Sequence, residues 1–189
     1  MAVREITVVG HRALHQRTRR VKEVTDELRT LVEDMFDTME AADGVGLAAN
    51  QVGVRLRVFV YDVEEDGEHH HGHVINPVLT TGQLSPGPAD ADEDAEGCLS
   101  VPGEGFPLKR ADWARVTGTD LDGNPVELEG TGLFARCLQH ETDHLDGRLY
   151  TDRLAGAWRK QAQQAIKERG WERDRVTRWD PATQKPDRV

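Results

Sequence analysis

Two histidines stand four residues apart in His140-Glu141-Thr142-Asp143-His144. On an α-helix that spacing stacks them one turn apart on a single face, so both imidazoles can reach one metal ion. The glutamate after the first histidine is then held beside the ion, where its carboxylate can take a proton from a coordinated water. The flanks suit a helix: Leu133, Ala135, Cys137 and Leu138 precede the pair, and Gly147 follows as a C-cap. The chemistry on offer is metal-assisted hydrolysis. The plain alternative is two solvated surface histidines.

A hydrolytic ion needs three protein ligands and one open position. The extended pattern HExxHxxGxxH adds a third histidine after a glycine turn, but this chain follows it only to Gly147 and then has Tyr150 at the ligand position. A glutamate on a later helix is a second solution, and Glu168 falls in the usual window; its neighbours Ala165, Ile166, Lys167 and Arg169 read as an ordinary charged surface helix. Cys137 shares a face with His140, yet seven residues separate it from His144. That is roughly 10 Å at about 1.5 Å per residue, too far for ligand bonds of about 2.0–2.3 Å. Cys137 therefore reads as a small apolar residue packed beside the site. Cys98, in Glu96-Gly97-Cys98-Leu99-Ser100, follows a glycine and a flexible loop and can present a thiolate to an ion held elsewhere. Chemistry alone favours Cys98 with His140 and His144, and leaves Glu168 open.

These residues need elements to hold them. Val21, Val24, Leu28, Leu31, Val32, Met35, Phe36 and Met39 recur at spacings of three and four, which predicts an amphipathic helix over 21–39. A glycine-rich loop follows. Residues 56–63 read as a strand in a nearly continuous apolar run, and 74–81 as a second, with the polar stretch 64–73 between them as a hairpin loop. The histidines of that loop, His69 to His73, read as solvated groups that pick up metal adventitiously. Residues 84–96, rich in Pro, Gly, Asp and Ala, read as a long irregular loop. Strands over 113–120 and 126–129 flank the turn Asp122-Gly123-Asn124. The motif helix is placed at 131–146 and a third helix at 154–169; a catalytic body of 1–170 and a frayed polar tail of 171–189 complete the division. Strands first and a central motif helix afterwards indicate an α+β domain.

The 189 residues suffice for one domain with its own core. Lys plus Arg number 24 against 34 Asp plus Glu, a net charge of −10 that argues against a DNA binder. The charge is uneven: from Arg153 onward the balance is +5, leaving −15 on the body. No signal-like segment opens the chain, no apolar run spans a bilayer, and two cysteines make a poor disulfide framework. A cytoplasmic enzyme without membrane contact is the economical class.

Three segments together carry a resemblance. Gly44-Val45-Gly46-Leu47-Ala48-Ala49-Asn50-Gln51 is similar to the GxGLAAxQ motif of peptide deformylases; alone, it would read as a weak phosphate loop lacking a strand–loop–helix context. Glu96 to Ser100 matches their EGCLS motif, and QHETDHLDG from Gln139 to Gly147 matches QHExDHLxG. The order is the family's, and the similarity runs over residues 8–154. The resemblance implies the deformylase-like fold, with antiparallel strands around a central metal-binding helix. It implies hydrolysis of the N-formyl group of formylmethionine on newly made chains, with formate released.

The resemblance also implies a set of roles. Cys98, His140 and His144 would bind the metal, Fe²⁺ by resemblance, with Zn²⁺, Ni²⁺ or Co²⁺ able to substitute. Glu141 would be general base and then acid. Gln51 and the N–H of Leu99 would stabilise the oxyanion. Val45, Gly46, Leu133 and Cys137, with His140, would line the substrate pocket. Arg110 could pair with Glu96 to hold the ligand loop. Implied partners are N-formylmethionyl peptides and nascent chains, with weak ribosome contact through Arg159, Lys160, Lys167, Arg169, Arg173, Arg175 and Arg178; a packed helix with solubilising charges is the blander reading. The rivals are an HExxH peptidase using Glu168 and a non-catalytic metal-binding relative, against which intact Glu141 and Gln51 argue.

Overall fold

A strand whose every residue is apolar must be covered on both faces, and the run at 58–61 is built that way, each of its residues buried. The computed structural model describes residues 2–172 and 177–184. In chain order it contains β1 (Ile6–Thr7), α1 (Asp26–Ala41), β2 (Gly46–Ala48), β3 (Val58–Glu65), β4 (Glu68–Thr81), β5 (Ala95–Gly97) and β6 (Gly105–Pro107). There follow β7 (Trp113–Thr119), β8 (Pro125–Thr131), α2 (Gly132–Leu145), α3 (Tyr150–Arg153), α4 (Gly156–Glu168) and β9 (Arg178–Trp179). Five strands form an antiparallel sheet in the order β2-β3-β4-β7-β8.

Alternation along β3 divides the core. Val58 and Val60 join Leu28, Leu31, Val32, Met35 and Met39 of α1 in one cluster. Phe59, Tyr61 and Val63 point the other way, into a cluster with Phe134, Ala135, Leu138 and Leu145 of α2. The sheet is thus sandwiched between the two helices. Each fully buried Phe or Leu contributes about 1.5–3 kcal/mol by leaving water. A third cluster gathers Ile6, Val8, Leu14, Val101, Phe106, Leu149, Tyr150 and Trp179.

Both ends of α2 are tied by distant residues. Thr131 provides no side-chain cap; the carboxylate of Glu65 instead accepts from the N–H of Leu133 (2.6 Å) and of Phe134 (3.2 Å). An acidic group there also suits the positive end of the helix dipole. At the other end, the Leu145 carbonyl accepts from Thr18 N–H and hydroxyl, each at 2.9 Å. Gly147, at φ +75, turns the chain where a Cβ would strike the backbone of Gln16 and Arg17.

The fold is α+β as expected, with three corrections of detail. The helix predicted over 21–39 begins at Asp26, because Thr25 caps it by accepting from Leu28 N–H at 3.3 Å. Val21 is held outside the helix by Asn76, whose side chain accepts from its N–H and donates to its carbonyl, each at 2.9 Å. The loop expected over 64–73 is mostly strand: the turn is only Asp66-Gly67, with φ of +52 and +80, and β4 starts at Glu68. Two successive left-handed residues make the tight turn that matches strand twist. The frayed tail is also corrected for residues 177–184: β9 pairs with β1, and Trp179 is buried. Arg173 and Arg175 lie outside the described residues. Among the described residues, no helix is long and apolar enough to cross a membrane.

Candidate metal centre

Helix α2 presents His140 and His144 on the face turned toward the loop after β5, which carries Cys98. The Cys98 sulfur lies 3.2 Å from His144 Nε2, and His144 Nε2 lies 3.1 Å from His140 Nε2. Bonds of about 2.0–2.3 Å at tetrahedral angles would separate such donors by about 3.3–3.8 Å; both separations from His144 come within a few tenths of an ångström of that, and all three donors lie within 4.8 Å of one another. One thiolate and two imidazoles suit Zn²⁺, Fe²⁺, Ni²⁺ or Co²⁺ rather than a hard cation. The residues fit an ion.

The groups behind the ligands fix their aim. Glu96 Oε1 lies 2.7 Å from His140 Nδ1, so the carboxylate accepts from that nitrogen and leaves Nε2 facing the other donors. Glu96 is itself held by Arg110, which donates through Nε (2.9 Å) and Nη2 (2.6 Å). The remaining Arg110 nitrogen reaches Asp143 at 2.6 Å, and Arg153 closes on the same carboxylate. Burial works to raise the Glu96 carboxyl, but the hydrogen bonds from Arg110 and His140 override it and hold it far below the carboxylate range. His140 is pushed up, against its burial, by Cys98 and Glu96; His144 is pushed down by burial and by His140. Ser100 N–H donates to the Cys98 sulfur at 3.4 Å.

Glu141 stands next to the triad, and burial drives its carboxyl up to about 7; His140 and Arg110 pull down and Glu96 and Asp143 push up. Its Oε2 has no hydrogen-bond partner among the described residues. Gly46 explains how it fits: a Cβ at that position would collide with the Glu141 carboxylate. Gln51 is buried and oriented, its Oε1 accepting from Ala48 N–H at 2.8 Å while Nε2 points to Ser100 Oγ (3.3 Å) and toward the Cys98 sulfur (3.8 Å).

A cleft of about 660 Å³ opens over these groups, bordered by Val45, Gly46, Gln51, Cys98, Leu99, Leu133, Cys137, His140 and Glu141. Every residue predicted for the site lies on it except His144, which sits behind His140. Val45 and Leu133 leave 43% of their surface in solvent at its rim, an apolar invitation for an apolar side chain. Cys137 is buried and donates weakly to the Val45 carbonyl at 3.5 Å, and burial raises its thiol well above the ordinary range. The expected Arg110–Glu96 pair is present. Glu168 is exposed and accepts from Gln164, away from the cleft.

Sequence reasoning missed Asp143, Arg153 and Trp179. Asp143 sits inside the histidine motif, three residues and so about one turn after His140, and could have been found as the acid beside it that also meets Arg110. Trp179 left no signal beyond being an aromatic residue in a polar stretch. Its indole N–H donates to the Leu99 carbonyl at 2.8 Å, and it borders the cleft together with Gln184.

A helix-borne HExxH pair with a cysteine sulfur in reach, and a carboxyl of raised pKa beside an open cleft, is a donor set of the kind metallohydrolases use. The sequence profile of the family described as Polypeptide deformylase matches residues 3–160, and the chain belongs to that family. It is 53% identical over 183 residues to peptide deformylase 2 of Corynebacterium efficiens, covering 96% of this chain and 94% of that protein. It is 55% identical over 179 residues to the peptide deformylase of Mycolicibacterium smegmatis, covering 90% and 91%. Among solved structures, peptide deformylase from Ehrlichia chaffeensis superposes with a TM-score of 0.77 at 35% identity, over 89% of this chain and 97% of that one. The same enzyme in complex with actinonin gives 0.76 at 37% identity, over 89% and 98%.

Proposed function

We propose that this cleft is where the chain removes the formyl group from N-formylmethionine on newly synthesised polypeptides, releasing formate and a free amine. The observation that carries the reading is the convergence of Cys98, His140 and His144 beside the buried carboxyl of Glu141. Cys98, His140 and His144 hold one divalent ion, for which Fe²⁺ is our choice. When bound, such an ion lowers the pKa of water and polarises the formyl oxygen.

The chain's own groups do the rest. Glu141, poised near neutrality, takes a proton from the water that adds to the formyl carbon, and returns it to the amine nitrogen as the carbon–nitrogen bond breaks. Gln51 Nε2 and the Leu99 N–H donate to the oxygen on which negative charge develops, without adding net charge. Val45, Leu133 and Cys137 receive the methionine side chain. β2 is an edge strand of the sheet, and Gly46 carries no side chain, so a substrate backbone can pair along it as an added strand. The catalytic body is residues 1–170, to which Trp179 adds a buried prop.

Nascent chains place this work in the cytoplasm. Arg169 is paired with Glu104 at 2.9 Å and Arg178 with Glu5 at 3.5 Å, which leaves less free charge near the C-terminus than the sequence offers. We keep weak ribosome attraction as the minor reading of that charge, tested by co-sedimentation at low and moderate salt after truncation beyond Gly170.

The activity test is anaerobic incubation of the ion-loaded protein with formyl-Met-Ala-Ser, reading formate. Formate release that stops when the ion is stripped and resumes when it is restored supports the proposal. No formate from the fully loaded protein overturns it.

A further inference from the structure

The β3–β4 ribbon carries a second set of donors that the deformylation site does not use. Side chains two apart on a strand share a face, so His69 and His71 point the same way, and the pairing sets His71 directly opposite Asp62. Asp62 Oδ1 lies 2.6 Å from His69 Nε2, and Oδ2 lies 3.1 Å from His71 Nδ1. The three donor atoms fall within 4.8 Å of one another.

The neighbouring histidines are otherwise engaged. His70 faces the opposite side and stacks on Phe134 with centroids 4.0 Å apart and planes 4° apart. His73 Nε2 accepts from Leu121 N–H at 3.0 Å. His71, by contrast, stacks on Phe36 of α1 at 4.6 Å, which fixes its ring while its Nδ1 stays on Asp62. Two imidazoles therefore converge on one carboxylate, one of them oriented by an aromatic support.

We propose that Asp62, His69 and His71 form a second, surface binding site for an imidazole-preferring divalent cation of the zinc, nickel or cobalt class. Two nitrogens and an oxygen match that class and not calcium or magnesium. The ion takes the place of the protons that the rings now share with Asp62, and water completes its shell because the three side chains stay 42–63% exposed. Bound there, it clamps β3 to β4 close to Glu65, the residue that caps α2. Its effect is on stability, by mass action, and not on the formyl reaction.

Cobalt separates the two sites because only one contains sulfur. The test starts from the holoenzyme carrying cobalt at Cys98, recognised by an intense thiolate-to-cobalt charge-transfer band, and adds further Co²⁺ while measuring bound metal by equilibrium dialysis. The expected result is one additional equivalent per chain, weak visible absorption with no growth of the charge-transfer band, and a rise in Tm. The double variant His69→Ala/His71→Ala should lose that equivalent and the Tm rise, while keeping the charge-transfer band and deformylation. Asp62→Asn, which preserves size, should weaken the same equivalent. The proposal is overturned if the parent protein saturates at one cobalt, or if the double variant still takes the second. A missing charge-transfer band at the first equivalent would count against the Cys98 site instead.

Discussion

Two clusters of metal-type side chains sit on opposite faces of the sheet; each offers two imidazoles, the first joined by a thiol and the second by a carboxylate, and they differ more in their surroundings than in their donors. The Cys98, His140 and His144 cluster lies at the foot of a cleft, backed by Glu96, Arg110 and Asp143, whose side chains are 4–7% exposed. The Asp62, His69 and His71 cluster stands in water on a hairpin, supported by one stacked Phe36. Donor type and spacing make both able to hold a cation. Only the first has a buried carboxyl beside it, oriented donors, and an apolar cleft above it. Binding a metal needs a few donors; hydrolysis with it needs a dry, pre-aimed surround.

That difference can be attacked by substitution, beginning where the effect should be greatest. Glu141→Gln keeps size and packing but removes the proton carrier. Turnover should fall by about two to four powers of ten while bound metal stays level; near-normal turnover in the fully loaded variant would remove Glu141 from its role. Gly46→Ala comes next, since its Cβ must displace the Glu141 carboxylate. A shift near 1 Å at a reacting group should cost about a hundredfold in kcat, read beside unchanged metal content. If kcat holds, the close approach at Gly46 has no bearing on the reaction.

Arg110→Met probes the buried support rather than the chemistry. It takes from buried Glu96 the cation that holds both its oxygens, while Asp143 keeps Arg153, and urea denaturation should show a loss of about 3 kcal/mol. His69→Ala, in the exposed cluster, should change stability without added metal by no more than about 1 kcal/mol. Equal losses at the two positions would erase the contrast drawn between the clusters. The smallest effect belongs to Trp179→Phe, which keeps the ring and removes the donor to Leu99. A loss of about 1 kcal/mol, or about fivefold in kcat/KM, is expected, and steady-state kinetics on the peptide would detect it.

Much of this was readable from the residues. The i, i+4 histidines of α2 and the apolar run of β3 are periodic signals, and periodicity survives folding because it is what buries a face. Chemistry favoured Cys98 but left Glu168 open until the resemblance was added, and Gln51 needed the resemblance outright, since a loop cysteine and a glutamine in a single short 3-10 turn carry no period. The β3–β4 hairpin was misread because Glu, Asp and His look like solvent-exposed loop; Asp66-Gly67 was the better clue, as the pair that tolerates two positive φ angles. The start of α1 was set by a cap at Thr25, which competes with an apolar pattern running on to Val21. Trp179 was invisible because its partner, the Leu99 carbonyl, is eighty residues away in sequence and a backbone acceptor has no signature.

The central claim is that Cys98, and not the neighbouring Cys137, completes the ion site with His140 and His144. Metal content and formate release from formyl-Met-Ala-Ser, measured on the same anaerobic preparations of Cys98→Ser and Cys137→Ser, test it most directly. Cys98→Ser should lose most of its ion or its turnover, because a hydroxyl does not replace the thiolate, while Cys137→Ser should keep its ion. A Cys98→Ser protein that retains metal and turnover while Cys137→Ser loses the ion would contradict the account.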